Sequence, residues 1–167
     1  MTDNTPRILE IARSVAHVEQ SHEITSLQTP AVAEILGKQL AKVTTAANPD
    51  TVIVWDQVES AVLGHVVARE LGADLIYAFS VEGSLGLSGH LTEGSRAVVI
   101  SYDWTELHGL DAMVRFVQSQ GAAVTGIGSV VAAPEPETRH GIATHALAGS
   151  DPDKPATSKE DHVIDNG

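Results

Sequence analysis

The chain has 167 residues, no cysteine and a formal net charge of -12, with a sequence pI near 4.9. That length is one ordinary domain with room for a sizeable core, and without cysteine there are neither disulfides nor thiolate metal sites. A surface this acidic repels nucleic acid and anionic lipid over long range, and no apolar run approaches the ~20 residues of a membrane helix, so neither nucleic acid nor a membrane is an expected partner. A polar stretch after Met1 and the missing cysteines make a reducing cytoplasm the expected compartment.

Residues 1–50 read as a helical N-terminal segment. Ile8, Leu9, Ile11, Ala12, Val15 and Val18 form one face of a first amphipathic helix, and Val32, Ile35, Leu36, Leu40 and Val43 form the face of a second. Thr29-Pro30 is a start signal for the second, because Thr caps and Pro fits a first helical turn. Asn48-Pro49-Asp50 then turns the chain into a predicted strand, Thr51 to Trp55. A loop, Asp56 to Ser60, leads to a helix carrying Val62, Leu63, Val66, Val67 and Leu71 and stopped by Gly72.

Asp74 to Ser80 reads as the next strand. Residues 81–94 hold Gly83, Gly86, Gly89 and Gly94 among polar residues, which suits a mobile loop or a small hairpin. These glycines do not fit the dinucleotide fingerprint and no Gly-Lys-Ser/Thr follows them. Ala97 to Ile100 is a short β-branched run suited to a buried parallel strand, and Leu110, Met113, Val114 and Val117 recur beyond it at helical spacing. Gly121 ends that helix and Val124 to Ala132 is a last strand. Strands alternating with helices of this length predict an α/β fold, a mainly parallel sheet flanked by helices, over residues 1–133. From Pro134 the composition turns to Pro, Asp, Ser, Lys and Gly, so 134–167 reads as a mostly disordered acidic tail.

Ligands of open α/β sheets sit outside the carboxyl ends of the strands, which singles out Tyr102, Asp103, Trp104, Thr105, Glu106, Leu107, His108 and Gly109. A second group, Trp55, Asp56, Glu59 and Ser60, follows the strand that ends at Trp55. The only two tryptophans thus end two strands, each beside an aspartate and just before a glutamate. If the strands are neighbours, two aromatic faces and up to four carboxylates converge on one cleft suited to a flat heterocycle or a cation. The plainer alternative is that the tryptophans fill core space and the acids are solvated or sit at helix N-termini, where the dipole favours them. His108 could act as a general base, though a lone loop histidine is more often a surface residue. Asp103 with Glu106 or Asp56 could offer oxygen ligands to Mg²⁺, but no resident metal is expected. His17 with His22, and His140 with His145, are five apart, off the spacing that aims two ligands one way, and read as surface.

The run Val98-Val99-Ile100-Ser101-Tyr102-Asp103-Trp104-Thr105-Glu106-Leu107-His108-Gly109 resembles the phosphoribosyl-pyrophosphate signature of type I phosphoribosyltransferases: an apolar strand, two acids, two mostly apolar residues, then a phosphate loop rich in Thr and Gly. Asp50 to Gly72 resembles the family's first strand, pyrophosphate loop and helix. Residues 78–94 resemble the flexible hood of the orotate branch. The likeness runs from about Asp50 to Ala132 and implies that family's fold, with Asp103 as the catalytic carboxylate on the ribose side and Thr105 and Gly109 against the 5'-phosphate.

The chemistry departs from the pattern. Tyr102 replaces the first acid of the pair, and Glu106, Leu107 and His108 replace small hydroxyl and glycine residues of the phosphate loop. A carboxylate about 4 Å from a phosphate charge costs about 4 kcal/mol at an effective dielectric near 20, about a thousandfold in affinity. No lysine lies between Lys42 and Lys154, and the matching hood segment, Phe79 to Ser84, has no cation. These features predict a phosphoribosyltransferase-like protein with lost or altered transferase activity, acting as a small-molecule binding or regulatory module and assembled as a homodimer. The alternatives are an active transferase for orotate or a purine nucleobase, in nucleotide synthesis or salvage and with Mg²⁺ only in that case, or a fold kept purely for dimerisation.

Overall fold

The computed structural model describes residues 30–104, 107–131, 138–139 and 141–148. The predicted helix at residues 8–18 and the Thr29 cap lie outside them. Helix α1 is Pro30–Thr44, β1 Thr51–Trp55, α2 Val58–Leu71, β2 Asp74–Val81, β3 Ser84–Leu87, β4 Arg96–Ser101, α3 Leu107–Ser119, β5 Ala123–Val131, β6 Thr138–Arg139 and β7 Ile142–Ala148. The seven strands form one sheet in the order β3-β2-β1-β4-β5-β7-β6. Its centre is parallel, and only β3 and β6 run against their neighbours. No described helix is long and apolar enough to cross a membrane.

Helices α1 and α2 cover one face and α3 the other, and each face has its own apolar cluster. Val52, Val54, Val98, Ile100, Tyr102 and Val130 point towards Leu36, Leu40, Leu63 and Val67 of α1 and α2. Ile53, Ile76, Ala78, Ala97, Val99 and Ile127 point towards Leu110, Met113, Val114 and Val117 of α3. The central strands read as unbroken apolar runs because successive residues feed opposite faces and both faces are covered.

The buried stripe of α1 differs from the one its large residues predict. Ala33, Leu36, Gly37, Leu40, Ala41 and Thr44 face inward, while Val32, Ile35 and Val43 are only half-buried. Close approach explains it: a Cβ built on Gly37 would lie 2.5 Å from Cβ of Val66 on α2, so small residues take the contact line. Gly64 does the same between α2 and β1, where a Cβ would meet Cγ1 of Val54 at 2.6 Å. At the exposed edge of this pair, Arg69 holds Glu34 with two hydrogen bonds, Nη1 to Oε1 at 3.0 Å and Nη2 to Oε2 at 2.7 Å. The Arg69 hydrogen bond holds the Glu34 carboxyl below its ordinary pKa.

Residues 81–94 contain a hairpin. Glu82 and Gly83 both take positive φ, 51° and 79°, as the tight two-residue turn between β2 and β3 requires. Between β4 and β5 the pairing slips by one: Ala97 faces Val124 but Val98 faces Gly126, so Thr125 is an extra residue. Its hydroxyl donates to the Ala97 carbonyl at 3.2 Å.

The boundary at residue 134 needs correction. Residues 142–148 form β7, paired in parallel with β5, and Ile142 is buried in the α3-side cluster. The segment is poor in large apolar residues because backbone pairing along the outer side of β5 holds it as much as side-chain burial does. Residues 134–137, 140 and 149–167 lie outside the described residues.

Candidate functional site

Parallel pairing brings the ends of three strands together. Val54 is in register with Tyr77 and Ile100, so Trp55 sits beside Ala78 and next to Ser101. Beyond Trp55 the chain leaves the sheet at once: the Asp56 N–H donates to the Ala78 carbonyl at 2.8 Å, and Gln57, in extended conformation, caps α2. The loop expected at 56–60 is therefore only Asp56 and Gln57. The helix begins at Val58, so Glu59 and Ser60 belong to its first turn.

A cavity of about 620 Å³ opens over these ends. Trp55, Asp56 and Gln57 line it from β1, Ala78, Phe79 and Ser80 from β2, Ser101, Asp103 and Trp104 from β4 and the turn after it, and Gly109 from α3. Gly109 brings the first turn of α3 over the Trp55 ring, since a Cβ there would lie 3.5 Å from Cζ2. Gly86 gives Phe79 room in the same way, because a Cβ would meet its ring at 2.6 Å.

Strand alternation sorts the predicted residues. Val98, Ile100 and Tyr102 point towards α1 and α2, so Tyr102 is core, 6% exposed, and lines no part of the cavity. Its carbonyl accepts from the N–H groups of Val130 and Val131, both at 3.0 Å, which ties the turn to β5. Ser101 and Asp103 fall on the other side and reach the cavity. Trp104 lines the cavity and is also packed in the α3-side cluster, only 3% exposed, so core and cleft readings both describe it. Its Nε1–H is buried with no hydrogen-bond acceptor among the described residues. Glu59, in the first turn of α2, and Ser60, fully buried, do not line the cavity. Leu107 and His108 belong to the first turn of α3, and Thr105 and Glu106 lie outside the described residues. Gln57, Ala78, Phe79, Ser80 and Ser101 also line the wall and were not singled out by sequence. Strand-end position was the available signal for Ser101, and Phe79 and Ser80 lie at the matching end of β2.

Among the described residues the wall holds two carboxylates, Asp56 and Asp103, and no lysine, arginine or histidine. The described arginines Arg69, Arg96 and Arg115 do not line it. Arg96 starts β4 and pairs with Asp50, Nε to Oδ2 at 3.6 Å, while Arg69, in the last turn of α2, is held by Glu34. Both are at the opposite end of the sheet from the cavity. Mg²⁺ needs several oxygen ligands, and among the described residues no group of three acidic or histidine side chains converges. The wall suits a cationic or neutral aromatic ligand and disfavours an anionic one.

No family model and no curated protein matches this chain. Solved structures do. An orotate phosphoribosyltransferase from Aeropyrum pernix is 19% identical, with a TM-score of 0.64 over 74% of this chain and 75% of that one. An adenine phosphoribosyltransferase from Thermoanaerobacter pseudethanolicus is 18% identical, with a TM-score of 0.65 over 77% of this chain and 86% of that one. A UMP synthase from Leishmania donovani is 16% identical, with a TM-score of 0.65 over 87% of this chain and 37% of that one. At these identities the likeness is one of architecture: the chain has the fold of the type I phosphoribosyltransferases.

Proposed function

We propose that this chain is a small-molecule binding or regulatory module built on a phosphoribosyltransferase fold, with its transferase chemistry lost. One observation carries the reading: among the described residues the cavity at the strand ends is walled by Asp56 and Asp103 and by no cationic side chain. A pyrophosphate-bearing substrate brings several negative charges to such a site. Each would have to sit near carboxylates with no side-chain cation among the wall's described residues to offset it. Isothermal titration with phosphoribosyl pyrophosphate and Mg²⁺ tests this. No binding up to millimolar concentration is expected, and micromolar binding overturns the reading.

The position of Asp103, in the turn after β4 and on the cavity side, favours a second reading, an active transferase for orotate or a purine nucleobase. Mg²⁺ would then enter with the substrate, and Asp103 would be the protein's carboxylate nearest the ribose. Pyrophosphate release with orotate or adenine, abolished in Asp103→Asn, would establish it. Either reading carries a homodimer as the assembly, and a monomer at micromolar concentration by light scattering would remove it.

A further inference from the structure

We infer that the cavity binds a planar aromatic cation, a ring bearing an amidinium or a quaternised nitrogen. This rests on the reading of the cavity as a binding site without transferase chemistry. Of the chain's two tryptophans, two tyrosines and two phenylalanines, both tryptophans and Phe79 line this one wall. In so aromatic-poor a chain, Trp55 and Phe79, both half-buried, supply flat faces on which a ring stacks and against which a cation is attracted, while Trp104, 3% exposed, serves the wall as core.

Charge selects within the aromatic class. Asp56 is exposed at the mouth and Asp103 is half-buried, so one carboxylate attracts from solvent and the other acts where water screens less. The ligand class that answers both is a flat ring with delocalised positive charge.

The two tryptophans make the test specific, because all tryptophan fluorescence of the protein comes from this wall. Benzamidinium, benzamide and benzoate share one ring and differ in charge, and each is titrated against full-length protein while emission is followed. Benzamidinium is expected to bind at least about tenfold more tightly than benzamide, and benzoate most weakly. Raising the salt should weaken benzamidinium and leave benzamide unchanged. Replacing both carboxylates, Asp56→Asn with Asp103→Asn, should bring benzamidinium to the level of benzamide, with a thermal melt confirming that the variant folds. Equal affinities, benzoate binding tightest, or no response to any of the three overturns the inference. The two ideas fail separately. Micromolar phosphoribosyl pyrophosphate binding removes the loss of transferase chemistry, whereas silence towards both that compound and benzamidinium leaves the loss standing and removes the cation.

Discussion

The two ends of the sheet are built for different purposes. At the N-terminal ends of β1, β2 and β4 one residue, Asp50, knits three strands. Its N–H donates to the Arg96 carbonyl at 2.9 Å, its carbonyl accepts from Asp74 N–H at 2.9 Å, its Oδ1 accepts from Arg96 N–H at 2.9 Å and from Thr51 Oγ1 at 3.1 Å, and its Oδ2 lies 3.6 Å from Arg96 Nε. At the opposite ends Asp56 and Asp103 flank an open cavity whose wall, among the described residues, supplies aromatic faces and no basic side chain. The carboxylate at the first end meets a cation, a backbone donor and a hydroxyl, and those at the second line a cavity.

Trp104 gives the largest expected effect and breaks the division most directly, since it is both wall and core. Trp104→Ala should destabilise by about 3–5 kcal/mol in urea unfolding, because a large buried side chain leaves a cavity. Trp104→Phe should cost less than about 1.5 kcal/mol, because it keeps most of the apolar volume and removes a donor that has no partner among the described residues. A larger loss would mean that Nε1 is satisfied in solution.

Asp50→Ala should cost about 1–2 kcal/mol by the same measurement, through the acceptor lost to Arg96 N–H, and leave benzamidinium affinity unchanged. Asp56→Asn should do the converse: stability within about 0.5 kcal/mol of the wild type, and weaker benzamidinium binding in the fluorescence titration. If either substitution moved both readouts, the separation of the two ends would fail.

The smallest effect is the pH dependence of the Arg69–Glu34 pair. The Glu34 pKa is lowered in the folded state, so the pair's contribution is fully present above the ordinary carboxylate pKa and is lost as pH falls through the lowered value. Because the pair is exposed, salt screens it. Comparing acid unfolding of wild type and Arg69→Gln should show a wild-type advantage that shrinks as the pH drops, and an advantage that grows would contradict the assignment.

Much of this architecture could be read from side-chain pattern. Strand β1 lies where it was predicted, and β4 and the buried face of α3 follow from β-branched runs and from Leu110, Met113, Val114 and Val117. Two things escaped for one reason: hydrophobicity does not mark them. The contact line of α1 runs through Ala33, Gly37, Ala41 and Thr44, which are buried because they are small. Strand β7 is held along β5 by backbone pairing, with Ile142 as its buried apolar anchor. In the site, strand-end position located Trp55, Asp56, Asp103 and Trp104 at the cavity. Tyr102 could not be separated from Asp103 without knowing which helices cover which face, and Phe79 and Ser80 needed the β1–β2 register.

The slip between β4 and β5 has a consequence for how this chain tolerates changes in length. Val124 and Ile127 are three apart yet lie on the same face, which plain alternation forbids, and Thr125 absorbs the mismatch. Thr125 is therefore a spare residue inside a central strand. Removing it leaves Gly126 following Val124 and restores regular alternation, so a deletion there is expected to keep every downstream side chain on its present face, at the cost of one hydroxyl hydrogen bond. Removing Ile127, two positions on, would put the neighbouring residues on the wrong faces. Circular dichroism of the two deletions should find the first folded and the second not.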